Sequence, residues 1–293
     1  MLWYPLPEGG VLRRAALLET GVDPADLDKA VRRKVVVPLQ RGVYGSGEHV
    51  PNALERARAA VLAVGGCEAV ASHRTAGRVH GLEVQRGGPG VVTIPRPERR
   101  PHRSGLEYHT TRLAPEDVTV VGGVPVTTVS RTLVDLVRTL PTVRAVWTVE
   151  RALDLDRVDR AALETALARC TRAPGIREAR RRIRAAEPAS ESPLETAARL
   201  DIIGAGLPVP ELQMELVRAD GRVARLDLAW REARVGLELD GRSEHGMELA
   251  VFEDRDRENQ VVLRQFTIYR FTWNDVFRRR DAFLATVRAA IGA

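Results

Sequence analysis

R-V-A-R-L-D-L-A-W-R-E-A-R-V-G-L-E-L-D-G, residues 222–241, is the stretch that decides the fold of the C-terminal third. Two apolar runs flank the tight connection Arg231-Glu232-Ala233-Arg234, which predicts an antiparallel hairpin over 223–230 and 234–240 with Glu232 and Ala233 at its tip. That register sets Asp227 directly opposite Glu238. Alternation then sends Asp227, Glu238 and Asp240 to one face and Leu226, Leu228, Trp230, Val235, Leu237 and Leu239 to the other. Like charges opposed on a sheet repel. A divalent cation such as Mg²⁺ or Mn²⁺, which takes a few carboxylate oxygens plus water, would relieve that repulsion.

Outward from the hairpin, Ser192 reads as an N-cap with Glu195 three residues on, a capping-box spacing that opens a helix with Leu194, Ala197, Ala198 and Ile202 on its apolar side. After Gly206 comes a strand (P-V-P-E-L-Q-M-E-L-V), then a turn at Asp220-Gly221, then the hairpin. An amphipathic helix follows from about Phe252 to Arg264, then the strand F-T-I-Y-R-F and a final helical stretch. The order α-β-β-β-α-β-α is the layout of a restriction-endonuclease-like core. Such a core takes carboxylates from its two middle strands to hold a metal that activates water and neutralises charge on a phosphodiester. Asp227 and Glu238 sit on those strands, Glu195 can complete the set, and Asp240 can join it.

Residues 191–290 also resemble the endonuclease-like domain of the very-short-patch-repair type within the PD-(D/E)XK superfamily. The resemblance is carried by E-S-P-L-E, the Asp227 strand, Glu238-Leu239-Asp240-Gly241 with His245, D-R-D-R-E-N-Q-V-V-L and Y-R-F-T-W-N-D. It implies Glu195, Asp227 and Glu238 as metal-site acids, with Asp240 and His245 close to a scissile phosphate. The superfamily's usual lysine after the second acid is absent, since position 240 is Asp. His245, with an ordinary pKa near 6.5, is then the candidate for proton transfer. Arg255, Arg257 and Arg270 are candidate phosphate contacts; ion pairing with Asp254, Asp256 and Glu258 is the competing role.

At the other end, Val11, Leu12, Ala15, Ala16 and Leu18 predict a first helix that Gly21 stops, and Asp23 with Pro24 opens a second. The second helix ends in Arg32, Arg33 and Lys34, followed by two β-prone runs around Arg41-Gly42. This order matches a winged helix-turn-helix whose DNA contacts would be Arg32, Arg33, Lys34 and Arg41. Beyond it, an Ala-rich helix from Asn52 to Val64, a short helix capped by Ser72 and ending at Gly81, and the β-prone runs of 91–130 predict an α/β domain. His73 and His80, seven apart, suit packing or hydrogen bonding better than a metal. Helices are expected from Ser130 to Leu140, over 142–154 and over 157–169.

G-V-L-R-R-A-A-L-L-E-T-G through R-G-V-Y, then S-H-R-T-A-G-R-V-H-G-L and G-V-P-V-T-T-V-S-R-T-L-V-D-L, resemble the AbiEi-type antitoxin domains of abortive-infection systems over about residues 8–140. That resemblance implies a winged-helix DNA reader followed by an α/β domain. The expected fold class is therefore multi-domain α/β: a winged helix-turn-helix (1–50), an antitoxin-like domain (51–173), a basic linker (174–190) and the endonuclease-like domain (191–293).

With 293 residues and 44% hydrophobic content the chain has enough apolar surface for two or three cores. The formal charge is +6, and lysine occurs only at 29 and 34, so local clusters such as Arg177, Arg180, Arg181, Arg182 and Arg184 say more than the total. Cys67 and Cys170 have no metal or disulfide spacing. The start M-L-W-Y-P-L-P-E-G-G lacks a basic, apolar leader, and no run of about 18 apolar residues occurs, so a cytoplasmic protein without a membrane partner is expected. Two functions compete: an Mg²⁺- or Mn²⁺-dependent endonuclease acting in phage defence or repair, and a non-catalytic antitoxin-type DNA-binding regulator. An RNA-directed nuclease shares the first chemistry. DNA, a second copy of the chain and a toxin or defence-system component are the candidate partners.

Overall fold

The structure is a computed structural model that describes residues 10–64, 68–95, 105–217, 223–240 and 266–293. It is a mixed α/β chain with three sheets among the described residues. It divides into two compact units, Met1–Leu140 with Arg151–Ile183, and Pro141–Glu150 with Arg184–Ala293.

The first unit opens with β1 (Val11–Arg13), α1 (Arg14–Glu19), α2 (Pro24–Arg32), β2 (Val36–Gln40) and β3 (Val43–Ser46), the strands ordered β1-β3-β2. Val11 and Leu12 were expected in the first helix; instead they pair with Gly45 and Tyr44, because joining β3 buries Val11 on a second side that an isolated helix would leave open. Asp23 caps α2 by accepting from Ala25 N (2.7 Å), with Pro24 at the first helical position. Leu17, Leu27, Ala30 and Val36 form the buried core of this part.

Next come α3 (Ala53–Val64), β4 (Val70–Ala71), α4 (His73–Val79), β5 (Gly90–Ile94), β6 (Leu106–Thr110), and the hairpin β7 (Val118–Val121) with β8 (Val124–Thr127). Their sheet runs β6-β5-β4-β8-β7. Ser72 does not cap α4: its hydroxyl accepts from Thr93 Oγ1 (2.8 Å) and lies 3.1 Å from His73 Nδ1. The helix after β8, α5 (Val129–Thr139), is capped by Thr128 rather than Ser130. It is followed by α6 (Thr142–Asp154) and α7 (Arg160–Arg169), the latter capped by Asp159.

The stretch expected as a basic linker contains α8 (Ile176–Arg184), with Ile176, Ala179 and Ile183 buried. Its arginines are largely committed: Arg182 donates to Val137 O (2.7 Å) and Leu140 O (2.9 Å), satisfying carbonyls at the end of α5, and to Glu178. The composition there reads as a linker because only every third or fourth residue is apolar.

In the second unit α9 (Pro193–Gly204) precedes the sheet of β9 (Glu211–Val217), β10 (Val223–Trp230), β11 (Val235–Asp240) and β12 (Thr267–Thr272), ordered β12-β11-β10-β9. β11 and β12 are parallel, the others antiparallel. One face packs Leu228, Trp230, Val235, Leu237 and Phe271 against α9 and the helices Trp273–Arg278 and Arg280–Ile291. Phe271 meets Phe283 edge to face at 4.8 Å. The helix expected over 252–264 and the turn at 220–221 lie outside the described residues.

Candidate functional site

Two groups of candidate residues fall among the described residues. The first is the basic end of α2. Arg32, Arg33, Lys34 and Arg41 are all exposed, and none has an ion-pair partner among the described residues. Lys34 adopts φ 58, with Val35 N donating to Ala30 O (3.0 Å) and Lys34 N to Val31 O (3.0 Å). This is the double hydrogen bond that ends a helix at a left-handed residue, a place glycine ordinarily fills. A lysine there costs about 1–2 kcal/mol of backbone strain. The acidic residues of α2 are compensated within the same region: Asp26 pairs with Lys29 (2.9 Å) and Asp28 with Arg14 (3.3 Å).

The second group is the carboxylate set of the C-terminal sheet. β10 pairs Leu228 with Leu237, Ala229 with Gly236 and Trp230 with Val235, and the pairing ends one step short of Asp227 and Glu238. The expected face alternation breaks at Asp227. Leu226 packs with Met214 and Ala229 instead of Leu228, and a Cβ on Gly236 would lie 2.5 Å from its Cδ1. The cause sits across the ladder, where Gln213, between Leu212 and Met214, is left-handed at φ 50.

Each of the three expected metal-site acids has a protein partner. Asp227 Oδ2 accepts from Leu239 N (2.7 Å), taking over the ladder where backbone pairing of β10 with β11 stops. Glu195 is buried, and its Oε2 accepts from Glu191 N (2.8 Å) and Gln213 Nε2 (2.8 Å), while its own N donates to Ser192 Oγ (3.2 Å). Glu238 Oε2 accepts from Arg270 Nε (2.8 Å), its neighbour on β12, so this candidate phosphate contact is an ion-pair partner of a candidate metal ligand. Asp240, at the exposed end of β11, also has a partner. Among the described residues no group of three His, Cys, Asp or Glu side chains is spaced to hold a metal ion. His245, Arg255 and Arg257 lie outside the described residues.

The electrostatics of the set remain unbalanced. Burial, then the charge of Asp227, raises the Glu195 carboxyl above its ordinary range. Burial, then Glu238, raises Asp227 despite the bond from Leu239. A carboxyl raised on folding contributes stability below its unfolded pKa and loses it as pH rises through the folded value. Asp227→Asn keeps an oxygen for Leu239 N and removes the charge. It is expected to raise the melting temperature at about pH 7 and leave it unchanged near pH 3, where Asp is protonated in both states. A lower melting temperature for the variant at neutral pH would contradict this assignment.

A buried charge network of the first unit was not singled out from the sequence. Arg131, in V-S-R-T-L-V-D-L, donates to Asp117 Oδ2 (2.8 Å) and Asp135 Oδ2 (2.9 Å); Arg138 reaches Asp135 Oδ1 (2.9 Å) and Arg169 reaches Asp117 Oδ1 (2.6 Å). The signal was present: Arg131 and Asp135 stand one helical turn apart in a helix whose Leu133, Val134, Leu136 and Val137 are buried as well. Close by, His73 stacks on His109 at 3.6 Å between centroids, and burial pushes its imidazole down to about 2, with His109 and nearby arginines adding. His80 Nε2 lies 2.7 Å from Thr127 O. Both histidines are thus held by packing and hydrogen bonds. Cys170 is a buried thiol raised chiefly by desolvation.

Comparison with known proteins adds three findings. The AbiEi antitoxin C-terminal domain matches residues 64–185, a span that takes in Arg131 and its partners and runs into α8. The crystal structure of RV2827C protein from Mycobacterium tuberculosis is similar at 17% identity and a TM-score of 0.43, over 61% of this chain and 73% of that one. Over 261 residues, 89% of this chain and 94% of each relative, the chain is 30% identical to the uncharacterized proteins Rv2248 and MT2308 of two Mycobacterium tuberculosis strains. The chain therefore belongs to the family of Rv2248 and MT2308, with an AbiEi antitoxin C-terminal domain match across its middle.

Proposed function

We propose that this protein is an antitoxin-type DNA-binding regulator that holds duplex DNA through the end of α2 and the β2–β3 turn. The observation that carries the reading is the cationic surface of Arg32, Arg33, Lys34 and Arg41, exposed and without acidic partners among the described residues. The β-α-α-β-β order fits a winged helix-turn-helix, with α2 as its second helix and the Arg41 turn as its wing. Cations at a helix C-terminus suit phosphates on both sides of a groove, which position a protein without specifying sequence. The strained Lys34 supports the same role, since a costly conformation persists where the side chain it presents is used. The antitoxin match over 64–185 agrees with a regulator and adds a toxin as its candidate protein partner.

Mobility-shift titration with duplexes from upstream of the protein's own gene, in EDTA, tests the proposal. Arg32→Ala/Arg33→Ala is expected to weaken binding about a hundredfold, roughly tenfold for each charge-assisted bond to phosphate that the variant removes. Unchanged affinity in that variant would remove the proposed surface.

A second reading, Mg²⁺- or Mn²⁺-dependent phosphodiester cleavage on a restriction-endonuclease-like core, is favoured by one observation: the raised Glu195 and Asp227 carboxyls lie close enough to repel. The protein partners of Glu195, Asp227 and Glu238 weigh against it. Plasmid nicking by wild type with either metal, abolished in Glu238→Ala, would favour that reading over the regulator.

A further inference from the structure

A concave pocket of about 410 Å³ opens in the first unit between β2, α3, α4 and the loop Arg86–Gly90. Its charged lining is wholly cationic: Arg56, Arg78 and Arg86, beside the polar Gln40 and Thr75. Arg78 braces the loop, donating to Gln85 O from Nε (3.2 Å) and Nη2 (2.8 Å) and to Gly87 O. Arg56 and Arg86 have no ion-pair partner among the described residues, and Glu107, near the loop, is taken by Arg74. Burial holds Arg78 below its ordinary range, and the charges of Arg74 and Arg56 add to the effect.

The loop itself is built for close approach. Gly87 and Gly88 are left-handed at φ 79 and 81, and a Cβ at Gly87 would meet nothing within 4 Å. Consecutive glycines there leave backbone open to the pocket, while the guanidiniums supply the planar donor forks that match phosphate oxygens. The volume falls in the range of small-ligand sites and suits a mononucleotide.

We propose that this pocket binds a small phosphorylated ligand of mononucleotide size, its phosphate held by Arg56 and Arg86 over the Gly87-Gly88 backbone. The anion relieves the repulsion among arginines that no carboxylate of the pocket offsets. None of Arg32, Arg33, Lys34 and Arg41 lines this pocket, although Gln40, which does, precedes Arg41 in the chain.

Calorimetric titration of the full chain with inorganic pyrophosphate and with AMP tests it. Saturable binding is expected, at least tenfold weaker in Arg56→Gln and in Arg86→Gln, and unchanged in Arg172→Gln, which removes an exposed cation elsewhere in the same unit. Arg56 and Arg86 are exposed, so their variants should melt as wild type does. No saturable binding of either probe at millimolar concentration, or equal affinity in all three variants, would overturn the proposal. So would loss of duplex binding in Arg56→Gln and Arg86→Gln when neither probe binds, because those cations would then hold backbone phosphate. Neither probe contains a duplex, so failure of the DNA-binding proposal leaves this test intact.

Discussion

Replacing Arg131 with methionine is expected to cost the first unit about 3–5 kcal/mol, the range for removing one partner from a buried ion pair. Methionine fills much of the volume but strands two carboxylates, Asp117 and Asp135, each about 1% exposed. Arg169 and Arg138 still reach one oxygen of each aspartate, so the loss should fall toward the lower end of that range. Arg131→Lys separates charge from geometry. It keeps the cation but cannot donate from Nε to one aspartate and Nη1 to the other, so an intermediate cost is expected. Urea unfolding, with hydrogen exchange in Val129–Thr139 as the local readout, checks both variants. A loss below about 1 kcal/mol for the methionine variant would show that the network is not what holds α5 to Asp117.

Glu150→Gln should destabilise the second unit by about 3 kcal/mol. Glu150 is fully buried and accepts four donors: Glu187 N (2.9 Å), Arg199 Nη2 (2.6 Å) and Ser190 Oγ (3.5 Å) at Oε1, and Thr196 Oγ1 (2.5 Å) at Oε2. Glutamine can keep one oxygen where three donors converge, but its NH₂ then faces Thr196 Oγ1, which must give up its short bond to Glu150 and donate to Ser192 O alone. It also removes the charge beside Arg199, which is 2% exposed and whose Nε has no hydrogen-bond partner among the described residues. Three of the four tryptophans, Trp147, Trp230 and Trp273, lie in this unit, so tryptophan fluorescence on heating reports mainly on it. A melting curve superimposable on wild type would contradict the assignment.

Local chemistry was legible in the sequence wherever a backbone requirement is met within a few residues. Asp23 with Pro24, Ser192 with Glu195 and the Glu232-Ala233 tip all act within one turn of helix or hairpin, and each is where the spacing placed it. Long-range pairing overrode propensity elsewhere. Val11 joins a strand because β3 offers a partner, Ser72 turns from capping to Thr93, and Leu226 changes face where Gln213 is left-handed. The carboxylates of the C-terminal sheet were read as a set, and they do neighbour one another. What alternation could not supply was their partners, Leu239 N, Gln213 and Arg270, which come from three other strand positions. Arg56, Arg78 and Arg86 passed unremarked because no single segment carries the pocket; α3, α4 and a glycine loop converge on it.

If the cationic end of α2 holds DNA phosphates, binding must release counterions and weaken as salt rises. Fluorescence anisotropy of an upstream duplex in EDTA, over a range of salt concentrations, should give a steep linear fall of log affinity with log salt for the wild-type chain. In Arg32→Ala/Arg33→Ala/Lys34→Ala the slope should be shallower by about 2.7, close to 0.9 for each phosphate no longer neutralised. Wild-type slope retained in the triple variant, or no duplex binding by wild type at low salt, would contradict the account.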